Sequence, residues 1–157
     1  MLDLILLYIV SFSGVFFGKL LRKVAYEEVK FGEKYLLNFQ HFILFILALS
    51  LVYFADFNPW FIVLFVLGFI ASFLFRKKYF YLGLALVAAS FSQESLILVA
   101  SLVFIYGLSF GSLSKKLLSS SIYFVIALIL ASLLLFNLPS ANNYLLYFIA
   151  GSLFLRH

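Results

Sequence analysis

Cysteine is absent from this sequence, so disulfides, thiolate metal sites and cysteine nucleophiles are all excluded. Charge is scarce as well: Asp, Glu, Lys and Arg make up 11% of the residues, with 6 acids against 11 bases. A chain so poor in charge lacks the usual surface of a water-soluble domain. The only histidines are His41 and His157, too few for a histidine metal centre. No metal or other cofactor is therefore expected. Neither a GxxxxGK[ST] phosphate loop nor an HExxH motif occurs. The run Ser119-Ser120-Ser121 has no recognisable base partner, so no catalytic residues can be assigned.

What fills the chain instead is oil. Hydrophobic residues reach 66% and the mean hydropathy is +1.20. The pattern predicts an all-α fold, a polytopic membrane helix bundle with seven transmembrane helices in one domain, residues 1–157. The spans are expected at 2–18, 37–55, 59–75, 79–92, 96–112, 117–136 and 139–155. The start, MLDLILLYIV, carries Asp3 where a cleavable signal has positive charge, so it reads as a retained first span. With no targeting extension visible, a prokaryotic plasma membrane is the expected location.

Threading the spans alternately puts all eleven Lys and Arg on one side, with Asp3, Asp56 and Glu94 on the other. Cations resist crossing the bilayer, which makes the basic side cytoplasmic, the N-terminus external and the C-terminus cytoplasmic. The pI of about 9.5 then follows from orientation, and nucleic acid is not an expected partner. The partner expected first is the lipid bilayer, with the many Phe and Tyr as lipid-facing bulk and interfacial anchors. One stretch is tight: 36 residues separate Lys78 from Lys115, so two helices of about 16 residues rise only ~24 Å each. The charge rule fits a full crossing by 79–112 and a re-entrant hairpin equally well.

An internal echo accompanies the spans. GVFFGKLLRK at 14–23 aligns with GLSFGSLSKK at 107–116, an offset of 93 that sets Gly14 on Gly107, Gly18 on Gly111 and Lys23 on Lys116. A second match, at an offset of 80, sets Pro59 on Pro139, Ser72 on Ser152 and Arg76 on Arg156. The pair points to a 3+1+3 parallel repeat, with halves 1–78 and 96–157 joined by a linker helix at 79–92. Parallel repeats of this kind occur in transporters with a pathway between the halves. In helix count and orientation the plan resembles the SWEET sugar transporters, although their proline-glutamine loop motif is missing.

Four groups of residues stand out. Gly14, Gly18, Gly107 and Gly111 form two GxxxG pairs, which let helix backbones approach closely within the chain, in a homo-oligomer or against other membrane subunits. Glu94, with Gln93 beside it, is the acid that the short hairpin would hold deepest, a pathway or proton site unless it is a wet turn residue. Arg22, Lys23, Glu27, Glu28, Lys30 and Lys34 gather in one cytoplasmic segment, either a docking surface for a soluble partner or acidic lipid, or a solvated face. If the first helix continued through this segment, Lys23 and Glu27 would pair along it, and Gly32 would stop it. His41 reads as an interfacial hydrogen-bonding residue.

Three functions fit these residues. The first is a small transporter or channel with a pathway between two three-helix halves. The second is a non-catalytic membrane subunit assembled through its GxxxG faces. The third is an intramembrane lipid-modifying enzyme using Glu27, Glu28, Lys34 and His41, although no acid-base pair is forced to converge.

Overall fold

The structure is a computed structural model that describes residues 2–56, 59–113, 117–137 and 141–154. Among them are eight α-helices and no strand: α1 (Leu2–Val24), α2 (Tyr26–Phe31), α3 (Glu33–Phe54), α4 (Phe61–Leu74), α5 (Lys78–Ala89), α6 (Gln93–Leu113), α7 (Leu117–Asn137) and α8 (Asn142–Leu153). The side chain of Asp3, and Lys115, Lys116, Pro139, Arg156 and His157 of the charge and repeat arguments, lie outside the described residues.

Three helices are long and apolar enough to cross a membrane, over Ile5–Val24, Glu33–Phe54 and Gln93–Leu113. The apolar stretches Phe61–Leu74, Lys78–Ala89 and Ser119–Leu135 are shorter. At 1.5 Å per residue, α4 rises ~21 Å while α5 and α8 rise ~18 Å. The 79–112 stretch therefore divides unequally, a short α5 followed by a long α6, rather than into two equal helices.

Three side-by-side pairings organise the bundle: α1 along α6, α4 along α8, and α5 along α7, with α3 bridging α6 and α8. Glycine makes the first two possible. A methyl added to Gly18 would strike the carbonyl oxygen of Leu108, and one added to Gly111 would strike that of Val15. Gly14 and Gly107 sit one turn earlier in the same seam, Gly14 against the Phe104 carbonyl and Gly107 against the backbone of Gly14 and Val15. Gly68 and Gly151 play the same part between α4 and α8, against the carbonyls of Phe148 and Phe65. Without Cβ atoms the backbones come together, and dispersion contacts multiply along both seams.

Expected as a connector between halves, α5 lies buried among its neighbours as a central rod. Every residue from Tyr81 to Ala89 is buried, because Gly83, Ala85, Ala88 and Ala89 leave room for neighbours on several sides. Its first turn is gripped by rings. Tyr79 lies 4.8 Å from Phe110, 5.8 Å from Tyr106, 6.0 Å from Phe12 and 6.4 Å from Phe124, centroid to centroid. Those partners come from α6, α1 and α7, so one side chain ties four helices together.

Polar groups inside the helices are mostly satisfied locally. Ser11 donates to the Leu7 carbonyl at 2.7 Å, Ser50 to Ile46 at 2.8 Å and Ser109 to Tyr106 at 3.0 Å, the back-bonding expected of serine in a helix. The outward faces remain apolar: Ile9 is 66% exposed, Phe42 58% and Leu133 58%.

The first helix does not run on through the charged segment. It breaks at Ala25, whose φ of −119° and ψ of 50° are not helical. The break falls between Lys23 and Glu27, so that pair does not share one continuous helix. Gly32 does mark a junction, capping α2 with its N–H on the Glu28 carbonyl at 2.8 Å before α3 begins.

Candidate functional site

The described cations cluster at one end of the bundle. Lys19, Arg22 and Lys23 close α1, Lys30 lies on α2, Lys34 opens α3, and Arg76, Lys77 and Lys78 join α4 to α5. Asp56 and Glu94 stand at the opposite end, after α3 and in the first turn of α6.

Because the α4–α5 hairpin is short, its basic turn is drawn in below the ends of its longer neighbours. Gln40 lies two turns into α3 and Tyr106 two turns before the end of α6, yet both line the same cleft as Arg76, Lys77 and Lys78. Tyr79, Phe110, Ser119, Ser120 and Tyr123 complete the walls of a space of about 330 Å³. The Lys77 ammonium sits over the Tyr123 ring, 5.0 Å from its centroid, a cation–π contact. Lys78 opens α5 and is half-buried.

Two residues of this cleft each carry a polar atom with no hydrogen-bond partner among the described residues. The Gln40 amide nitrogen and the Tyr79 hydroxyl are both buried without a hydrogen bond, on residues only 7% and 3% exposed. Buried polar groups are rarely left so. Among the described residues no carboxylate lines the cleft. Its chemistry is thus all donors and cations, apart from the amphoteric hydroxyls and the amide oxygen.

The residues singled out from sequence are distributed differently. Gly14, Gly18, Gly107 and Gly111 meet one another in the α1–α6 seam. Arg22 turns inward, its guanidinium Nη1 donating to the Leu113 carbonyl at 3.1 Å, which satisfies an orphan acceptor at the end of α6. A recess of about 280 Å³ joins Arg22 to Lys30, with Tyr26, Glu33 and Ser112. Lys23, Glu27 and Lys34 are exposed and not gathered with them. Glu28 edges a separate apolar groove lined by Tyr35 and Phe39. His41 bonds through Nδ1 to the Leu37 carbonyl of its own helix at 2.6 Å. Glu94 and Gln93 are exposed, where the positive end of the α6 dipole favours a carboxylate. No group of three His, Cys, Asp or Glu able to hold a metal occurs among the described residues.

At the opposite end from the cleft, Asn143 donates to the Asp56 carboxylate at 2.9 Å and the Tyr147 hydroxyl to the Asp56 carbonyl at 2.8 Å. These bonds fasten the end of α3 to α8.

Sequence reasoning read Arg76-Lys77-Lys78 for orientation alone and passed over Gln40, Tyr79, Tyr106 and Tyr123. One signal was available: Gln40 is a long amide inside the apolar stretch 37–55. No protein family, curated protein or solved structure matches the chain, so the site must be argued from its own chemistry.

Proposed function

We propose that the chain is a seven-crossing integral membrane protein, N-terminus outside and C-terminus cytoplasmic, that works as a small carrier for an anionic solute. The apolar outward faces support the membrane setting, since soluble monomers rarely expose contiguous apolar patches beyond a few hundred Å². The short helices α4, α5 and α8 cross with the bilayer thinned around them or with their ends set inside the interface. The reciprocal contacts of Gly18 with Leu108 and Gly111 with Val15 support the repeat, because they hold at its offset of 93.

The observation that carries the reading is the make-up of the cleft walls. α3 belongs to the first half, α6 and α7 to the second, and α5 is the linker between them. A ligand there touches both halves at once, as a carrier's substrate does. Cations at its mouth select anions. The bonds from Asn143 and Tyr147 to Asp56, with the close α4–α8 seam, tie α3, α4 and α8 together away from the cleft, which supports reading this conformation as open on the cytoplasmic side. A non-catalytic subunit is the weaker reading, because both GxxxG faces are spent inside the chain.

Flux decides between them. Proteoliposomes should equilibrate glycerol 3-phosphate or succinate at least about tenfold faster than protein-free vesicles, each tenfold corresponding to ~1.4 kcal/mol of barrier. The double substitution Arg76→Ala with Lys77→Ala should abolish the difference, whereas Glu94→Gln, far from the cleft, should keep it. If neither anion crosses faster than in empty vesicles, the carrier reading fails.

A further inference from the structure

The geometry points to the cleft between α3, α5, α6 and α7 as a binding site for a phosphate monoester, held by Arg76, Lys77 and Lys78 with Gln40 and Tyr79 at its floor. The inference deepens the carrier reading and rests on it only for the side from which the ligand arrives.

Charge comes first. Three consecutive cations line one recess, Arg76 and Lys77 exposed at its mouth and Lys78 half-buried, and among the described residues none of them has a carboxylate within salt-bridge distance. Like charges gathered around one cleft raise the local potential and draw a ligand of opposite sign to it. Elsewhere at the same end, the bases from Lys19 to Lys34 are interspersed with Glu27, Glu28 and Glu33, whereas no carboxylate among the described residues lines this recess.

Donor count comes second. The Gln40 amide nitrogen and the Tyr79 hydroxyl are buried and unpartnered among the described residues, and they belong to two residues that line the space, so a small side-chain rotation brings each to a ligand. The first turn of α5 opens on the same space with Lys77 as its N-cap and no side-chain cap, so the positive end of the helix adds to the field. A phosphate monoester carries a charge of roughly −1.5 to −2 at neutral pH and three strong acceptor oxygens. A carboxylate supplies one charge and two oxygens, which would leave donors unmet. The rings of Tyr106, Phe110 and Tyr123 on the walls suit the carbon side of the ester, and 330 Å³ is within the range of small-ligand pockets, ~300–1,000 Å³.

The monoester has two sources, a lipid headgroup or a soluble metabolite, and one experiment separates them. The full chain is placed in phosphatidylcholine nanodiscs. In one arm glycerol 3-phosphate is titrated and followed by calorimetry. In the other the discs contain phosphatidic acid, and retained lipid is counted by native mass spectrometry. Saturable binding is expected in one arm, which names the source. The paired substitution Lys77→Ala with Lys78→Ala should weaken it at least about tenfold.

Tyr79→Phe and Gln40→Leu guard against simple misfolding. Each removes a buried polar group that is unpartnered in the empty protein, so the unliganded melting temperature should hold or rise while ligand affinity falls. Succinate should compete poorly. The inference is overturned if neither arm binds, if the variants bind as tightly as the parent, or if succinate competes equally. Binding without flux would remove the carrier and keep the site; succinate flux without phosphate binding would do the reverse.

Discussion

Gly18→Leu, and separately Gly111→Leu, should leave little folded protein to purify. Even a Cβ at either position meets a backbone carbonyl across the α1–α6 seam, and a backbone cannot swing aside as a side chain does. Overpacking typically costs about 1–3 kcal/mol. Here a whole isobutyl group must be accommodated between two main chains, so the upper end or beyond is expected, a large share of the ~5–15 kcal/mol that holds a domain together. Gly32→Ala is the control: its added methyl meets nothing closer than the Glu28 carbonyl at 3.2 Å, and an effect within about 1 kcal/mol is expected. Unfolding in mixed micelles, read beside gel filtration in mild detergent, separates two cases. Loss of the folded monomer supports an internal seam. A folded monomer that has merely lost an oligomer would mean that the glycines face another chain.

Tyr106→Ala should be the most damaging truncation in the core. Tyr106 is 1% exposed and stacks on Phe110 at 6.0 Å with 20° between the planes, while also contacting Tyr79. In water such truncations cost about 3–5 kcal/mol. In lipid the transfer part shrinks, because the unfolded helix still lies in hydrocarbon, and the cavity part remains, so about 3 kcal/mol is expected. Tyr106→Phe keeps the ring and should cost far less. Stability equal to the parent for Tyr106→Ala would mean that the aromatic cluster does not hold α5 in the centre.

Much of this fold is legible from sequence because apolar runs and glycine spacing act locally. GxxxG announces a close approach wherever it occurs. Which surface it approaches is a tertiary fact, and the partner of Gly18 is known only once α6 is beside it. The α4–α8 seam illustrates the limit. It joins Gly68 to Gly151, three positions out of step with the register that sets Pro59 on Pro139, since prolines mark helix starts while glycines mark where backbones touch.

The burial of α5 is hidden in the sequence for a similar reason. Residues 79–92 read as another apolar span, and only the density of Gly83, Ala85, Ala88 and Ala89 hinted that neighbours would enclose it. The cleft was hidden by an explanation that was sufficient without it: the positive-inside rule accounts for Arg76, Lys77 and Lys78 completely, so nothing in one dimension asked for a second role. Gln40 and Tyr79 acquire meaning only when α3 and α5 converge.

The account rests on a bundle that crosses the membrane with the Arg76–Lys78 turn inside and the Asp56–Glu94 end outside. The absence of cysteine makes this directly measurable. Glu94→Cys and Lys30→Cys, both at exposed positions, can be probed on intact cells with a thiol reagent that does not cross membranes. The predicted result is labelling of Glu94→Cys in intact cells and of Lys30→Cys only after permeabilisation. Labelling of both from the same side would contradict the topology, and with it the cytoplasmic cleft.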